Sequence, residues 1–266
     1  MYRGFKLESF KFSSEAYAKK MTTLGRSAYN QNRLLIEGSL QNFMVSDNSL
    51  DGTRIQNTWF PQINADVFIS HSHEDEELAI MLAGWLEDNF KIRSFIDSCV
   101  WGYANDLLKI IDNKYCLNDG GLTYNYNTRN YSTSHVHMML STALSMMIDK
   151  TECLFFLNTP ESIKPKDGIS RTQSPWIYFE IGISQVIRKQ QPFRYLTESL
   201  KLFRKGEKIE KALQVNYTVD LSHLEEIDYT ILEQWRNADD FPSADDALDK
   251  LYEIMPARKY SDTIHG

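Results

Sequence analysis

The chain has 266 residues, 42% hydrophobic, 12% aromatic and 24% charged, with seven Pro and twelve Gly, which excludes wholesale disorder and collagen-like or low-complexity character. A formal charge of −7 disfavours nonspecific nucleic-acid binding through the whole surface. Three Cys without a Cys-x-x-Cys pair do not build a disulfide framework.

Residues 1–62 hold eight Lys/Arg against five Asp/Glu and read as a basic, helical N-terminal extension. Tyr17, Met21 and Leu24, then Leu34, Leu35 and Ile36, have loose helical spacing, and Asp47 to Gly52 reads as a turn. No apolar h-region follows Met1, so no signal peptide is expected. At Ala65 the texture changes. Asp66-Val67-Phe68-Ile69-Ser70 is a short apolar run suited to a buried parallel strand. Ser72 and Asp75 stand at capping-box spacing, and Leu78, Met81, Leu82, Trp85 and Leu86 form a helical stripe. The longest apolar stretch, Leu78 to Leu86, is far short of the ~20 residues that span a bilayer. A cytoplasmic protein without membrane contact is the expectation.

The unit then repeats. Ile92 to Asp97 predicts a second strand, followed by Trp101-Gly102 and a helix from Tyr103 to Lys114. Residues 115–134, rich in Tyr, Asn, Gly, Ser and Thr, read as an inserted loop or ribbon. A helix resumes from His135 to Asp149, and Cys153 to Leu157 predicts a third buried strand. Ser174-Pro175 opens another helix, with Ser as N-cap and Pro at the first helical position. Val215 to Leu221 suggests a strand, and Tyr229 to Arg236 and Ser243 to Met255 suggest helices in an acidic stretch, with twelve Asp/Glu against four Lys/Arg over residues 218–266. Strands alternating with helices predict an α/β domain over 63–266, a parallel sheet with helices on both faces and ligands beyond the carboxyl ends of the strands.

Trp176, Glu180, Ile183 and Ile187 share one helical face, so Glu180 is a carboxylate inside an apolar stripe. Such a group is either a pocket carboxylate with a raised pKa or a salt-bridged residue at a buried rim. His71, His73 and Asp75 partly match the HxHxDH metal motif, with Glu76 where the last His would stand. His135 and His137 add a second HxH pair, and Cys99 lies just past a strand end. No Walker A, GxGxxG or GxSxG sequence is present.

In order, Asp66-Val67-Phe68-Ile69-Ser70-His71-Ser72-His73-Glu74-Asp75, Phe95-Ile96-Asp97 with Trp101-Gly102, and Ser174-Pro175-Trp176-Ile177-Tyr178-Phe179-Glu180 resemble a TIR (Toll/interleukin-1 receptor) domain. The last piece is similar to the SxWxxxE signature, and the resemblance covers roughly residues 64–190. It implies a flavodoxin-like fold and, by similarity to bacterial NAD-consuming members such as Thoeris anti-phage proteins, cleavage of the nicotinamide–ribose bond of NAD. NAD would be substrate, with no prosthetic group. Glu180 would be the catalytic glutamate, with Ser70, His71, Asp97, Trp101, Ser174 and Trp176 around the substrate. Implied partners are further copies of the chain, a phage-derived trigger and a separate effector reached through an ADP-ribose-derived messenger. A non-enzymatic self-association scaffold and a metal-dependent hydrolase using His71, His73 and Asp75 are the alternatives.

Overall fold

A computed structural model describes residues 1–8, 10–12, 14–33, 50–164, 170–195 and 217–257. Five parallel strands form one sheet: β1 (Arg3–Glu8), β2 (Val67–Ser70), β3 (Ser94–Ile96), β4 (Cys153–Asn158) and β7 (Glu225–Ile227), in the order β3-β2-β4-β1-β7. A separate antiparallel pair joins β5 (Arg171–Thr172) to β6 (Tyr217–Thr218). β2 is buried throughout and so is β4 as far as Leu157, as the continuous apolar runs of central parallel strands require. Val67 and Arg3 both face Cys153 in register, on opposite sides of β4.

The helices flank this sheet, which is consistent with a flavodoxin-like fold. The helix α1 (Glu15–Arg33) packs on α3 (Glu76–Phe90). On the other side of the chain's crossovers, α5 (Tyr126–Lys150) lies against α4 (Ser98–Tyr115) and α6 (Pro175–Val186), and the short α2 (Gly52–Trp59) packs on α4 and α5. Right-handed crossovers, the rule for parallel strands, put the connection from β2 to β3 and the one from β3 back to β4 on opposite faces. The aromatic core is continuous, with Phe5 over Phe155 and Phe90 stacked on Trp235 at 3.8 Å between ring centroids. Among the described residues, no helix is long and apolar enough to cross a membrane.

Two expectations are corrected. Residues 1–62 are not a purely helical extension, because Arg3–Glu8 is an inner strand, parallel to β4 on one side and β7 on the other. Phe5 and Leu7 alternate with Lys6 and Glu8, and that period of two marks a strand. Arg3 is buried because Glu225 on β7 pairs with it, and Lys6 reaches Glu226 at 2.9 Å. In the flavodoxin-like strand order 2-1-3-4-5, β2, β3 and β4 fill the first three places in the usual succession. The fourth is taken by the strand that precedes them all. The boundary drawn between 62 and 63 therefore cuts through one sheet. The rest of the segment is helical where described, and residues 34–49 lie outside the described residues.

The insertion at 115–134 is also shorter than its composition suggests. Asn125 caps α5, accepting hydrogen bonds from the Asn127 and Thr128 amides, so only residues 116–125 are irregular, closed by a bridge between Leu117 and Tyr124. Buried Asp112 on α4 accepts from Arg129 and Ser132 on α5 and fixes the hairpin. The strand expected over Val215 to Leu221 is present in its described part as Tyr217–Thr218, paired with β5, and the last strand of the main sheet is the acidic Glu225–Ile227. The two C-terminal helices stand close to their expected bounds: α7 (Tyr229–Arg236) and α8 (Ala244–Ile254), capped by Asp228 and Ser243.

Candidate active site

Because β2 and β3 are adjacent and parallel, their carboxyl ends open side by side. Ser70 is the last residue of β2, His71 follows it, and Asp97 follows β3 just before α4. The third contribution comes from α6. Ser174 caps this helix by accepting from the Ile177 amide at 3.2 Å, and Pro175 begins it. Its buried face is Ile177, Glu180, Ile181 and Ser184, spaced i, i+3, i+4 and i+7. That face is rotated from the expected stripe of Trp176, Glu180, Ile183 and Ile187, whose apolar members are only half-buried. Glu180 is the residue common to both stripes, and it has no exposed surface at all.

Ser70 Oγ donates to Glu180 Oε2 at 2.6 Å. Neither Glu180 Oε1 nor either oxygen of Asp97 receives a hydrogen bond of normal geometry, although all three atoms are buried. His71, also fully buried, donates from Nδ1 to the Ser72 carbonyl at 2.5 Å. Its Nε2 lies 3.1 Å from Ser98 Oγ and 3.0 Å from Asp97 Oδ1. Burial pushes both carboxyls well above the usual carboxylate range. For Glu180 the neighbouring charge of Asp97 adds to that push, while the Ser70 hydroxyl opposes it. For Asp97 the hydrogen bond from Glu180 and the amides of Ser98 and His71 act against it. Burial lowers the His71 imidazole, favouring its neutral form.

No protein-family model, curated protein or solved structure matches the chain significantly.

Of the residues singled out in the sequence, Ser70, His71, Asp97 and Glu180 are brought together in this one buried cluster. Ser174 serves as a helix cap one and a half turns away. Trp176 is half-buried, and its ring meets His137 on α5 edge-to-face, 5.5 Å between centroids. The side chains of Cys99 and Trp101 lie outside the described residues. His73 is exposed while His71 is buried, and among the described residues no group of three or more His, Cys, Asp and Glu is arranged to hold a metal ion. Cys153 is buried in β4, where burial pushes its thiol well up and away from nucleophilic use.

Two contacts, made by residues at or beside strand ends, do not follow from the sequence. Ser98, one residue past Asp97, completes the setting of His71. Asp75 does not form a capping box with Ser72; its carboxylate instead accepts from both the Ser72 hydroxyl and, at 2.6 Å, the Thr159 hydroxyl, so that it ties the turn after β2 to the loop after β4. The only sequence signal for this knot is the Ser-x-x-Asp spacing, which looks the same in either role. Chemically, two buried carboxyls in contact are suited to holding a proton at one and negative charge at the other, the arrangement with which enzymes stabilise a developing cation or exchange a proton near neutral pH.

Proposed function

We propose that the chain is a TIR-type enzyme of the cytoplasm that cleaves the nicotinamide–ribose bond of NAD, as a glycohydrolase or ADP-ribosyl cyclase/transferase, and that its ADP-ribose-derived product signals to a separate effector in anti-phage defence. The observation that carries this reading is the solvent-excluded Glu180 carboxyl, set against Ser70 at the carboxyl edge of a parallel sheet. Breaking the nicotinamide–ribose bond develops oxocarbenium character at the ribose, as in glycoside hydrolysis. A fixed carboxylate in a dry site stabilises that charge far more than one in water. Since Glu180 has no exposed surface in the isolated chain, substrate reaches it only when the surrounding loops part, and a phage-derived trigger or self-assembly would supply that opening.

Purified protein is incubated with NAD, with and without lysate from phage-infected cells, and nicotinamide is measured by chromatography with mass spectrometry of the second product. Release by the wild type and a loss of at least ~10²-fold in Glu180→Gln are expected. Wild-type turnover in Glu180→Gln, or no release under any of these conditions, overturns the reading. The product mass separates water, an internal adenine nitrogen and an external acceptor as the group that takes the ribose.

A second reading, a non-enzymatic self-association scaffold, draws on a different observation. The hairpin between α4 and α5 exposes Leu122, Tyr126 and Tyr131, with Leu122 95% exposed. Sedimentation that stays monomeric at high concentration would count against it.

A further inference from the structure

The contact between Asp97 and Glu180 poses a problem of proton accounting that is separate from the choice of substrate. Both side chains are without exposed surface. Three of their four oxygens receive no hydrogen bond of normal geometry from the protein. Two ionised carboxylates cannot face each other in such a place without a cation or donors between them. The one imidazole beside them, His71, gives its Nδ1–H to the Ser72 carbonyl, so the neutral ring that burial favours turns an unprotonated Nε2 to the Ser98 hydroxyl and has no proton for Asp97 Oδ1, 3.0 Å away. Asp75 and Glu76 also act on that ring, from the turn and the helix that follow.

We propose that Asp97 and Glu180 form an acid pair holding a single proton, carried on Glu180 and donated to Asp97, so that Asp97 is a positioning residue that keeps Glu180 neutral and aimed at Ser70 while the site is closed. The asymmetry follows from the surroundings. The amides of Ser98 and His71 favour an ionised Asp97, and that charge in turn favours a protonated Glu180. When the site opens, the proton leaves to water and Glu180 becomes the carboxylate.

The experiment is carbon NMR of the full chain carrying ¹³C-labelled Glu carboxyls, titrated over pH, with Glu180→Gln identifying the Glu180 signal. In the wild type that signal should be the protonated form at neutral pH. In Asp97→Asn the amide donates the hydrogen bond that the shared proton made, so the Glu180 midpoint should shift down. If the signal is ionised at neutral pH in the wild type, or its midpoint is unmoved in Asp97→Asn, the pair does not exist. Should Asp97→Asn fail to fold, a measurement with labelled Asp serves: the Asp97 signal should be ionised at neutral pH in the wild type, and its midpoint should rise in Glu180→Gln, where an amide replaces the stronger carboxylic-acid donor; an Asp97 protonated at neutral pH, or a midpoint that does not rise, overturns the proposal equally. Nicotinamide release plays no part in this readout. A shared proton in a protein that never cleaves NAD would defeat the proposed function and leave the acid pair standing, and release of nicotinamide from a protein without the shared proton would do the reverse.

Discussion

A carboxyl buried as Glu180 is sets the sign of the protein's response to pH. Its pKa is raised in the folded chain, mainly by burial and then by Asp97, so the folded state binds more protons than the unfolded one wherever pH exceeds the ordinary carboxylate range. Its contribution to stability is therefore fully present below about pH 4 and is lost as pH rises through the folded value. Glu180→Gln should raise the melting temperature at neutral pH by roughly 2–6 °C, corresponding to ~1–2 kcal/mol, with the gain shrinking toward zero in acid. Calorimetry of both proteins across pH would show it, and a gain that grew in acid would contradict it. Ser70→Ala removes the donor to Glu180 Oε2, and should destabilise by ~1–2 kcal/mol in urea titration while lowering nicotinamide release. The resemblance of Ser174 to Glu180 to a family signature and the strand-end places of Ser70, His71 and Asp97 single out these residues in the sequence, and the fold gathers Ser70, His71, Asp97 and Glu180 in one cluster. The contact between Asp97 and Glu180 is not legible there, because it joins a loop after one strand to a helix after another, and no periodicity within a single sequence encodes a pairing through space.

At the level of elements, two helices cross at a point where neither tolerates a side chain. A Cβ on Gly25 of α1 would stand 1.9 Å from the Ile80 carbonyl oxygen, and one on Gly84 of α3 would stand 1.9 Å from that of Met21. Backbone meets backbone there, so relief requires the helices to separate. Gly84→Ala improves intrinsic helix propensity by ~1 kcal/mol, yet should destabilise the protein by a net ~1–3 kcal/mol, measurable by chemical denaturation. Ser174→Ala, by contrast, should remove about 1 kcal/mol through the lost N-cap of α6 alone. Helices with apolar stripes and clear caps, such as α6 and α8, are readable from the sequence. The start of α5 is not: Tyr126 to Ser134 is polar and Asn- and Thr-rich, and its helix is held by tertiary contacts, Asp112 to Arg129 and Ser132, that local composition does not reveal.

For the whole molecule, the decisive element is β1. Six residues with a period of two were masked by the charged helix that follows them, so the sequence suggested a detachable extension where the sheet has an inner strand. A chain lacking residues 1–62 should accordingly lose cooperative unfolding and near-ultraviolet dichroism, because β4 would be left with a bare edge and β7 would lose its partner strand in the sheet. A folded 63–266 fragment would contradict the parallel register seen here. Phe5→Ala, which empties a fully buried ring site between β4 and α8, should destabilise by ~3–5 kcal/mol. The same placement also governs how the protein is made. Glu8 meets its neighbour Asn158 across 150 positions of chain, and the strand beyond comes later still. During synthesis Arg3–Glu8 leaves the ribosome long before either partner, and loop-closure entropy delays its docking further. For most of translation the nascent chain carries an amphipathic strand with Phe5 and Leu7 uncovered and both edges bare, so its yield in a cell should depend on holdase chaperones and fall when elongation is slowed between residues 8 and 153.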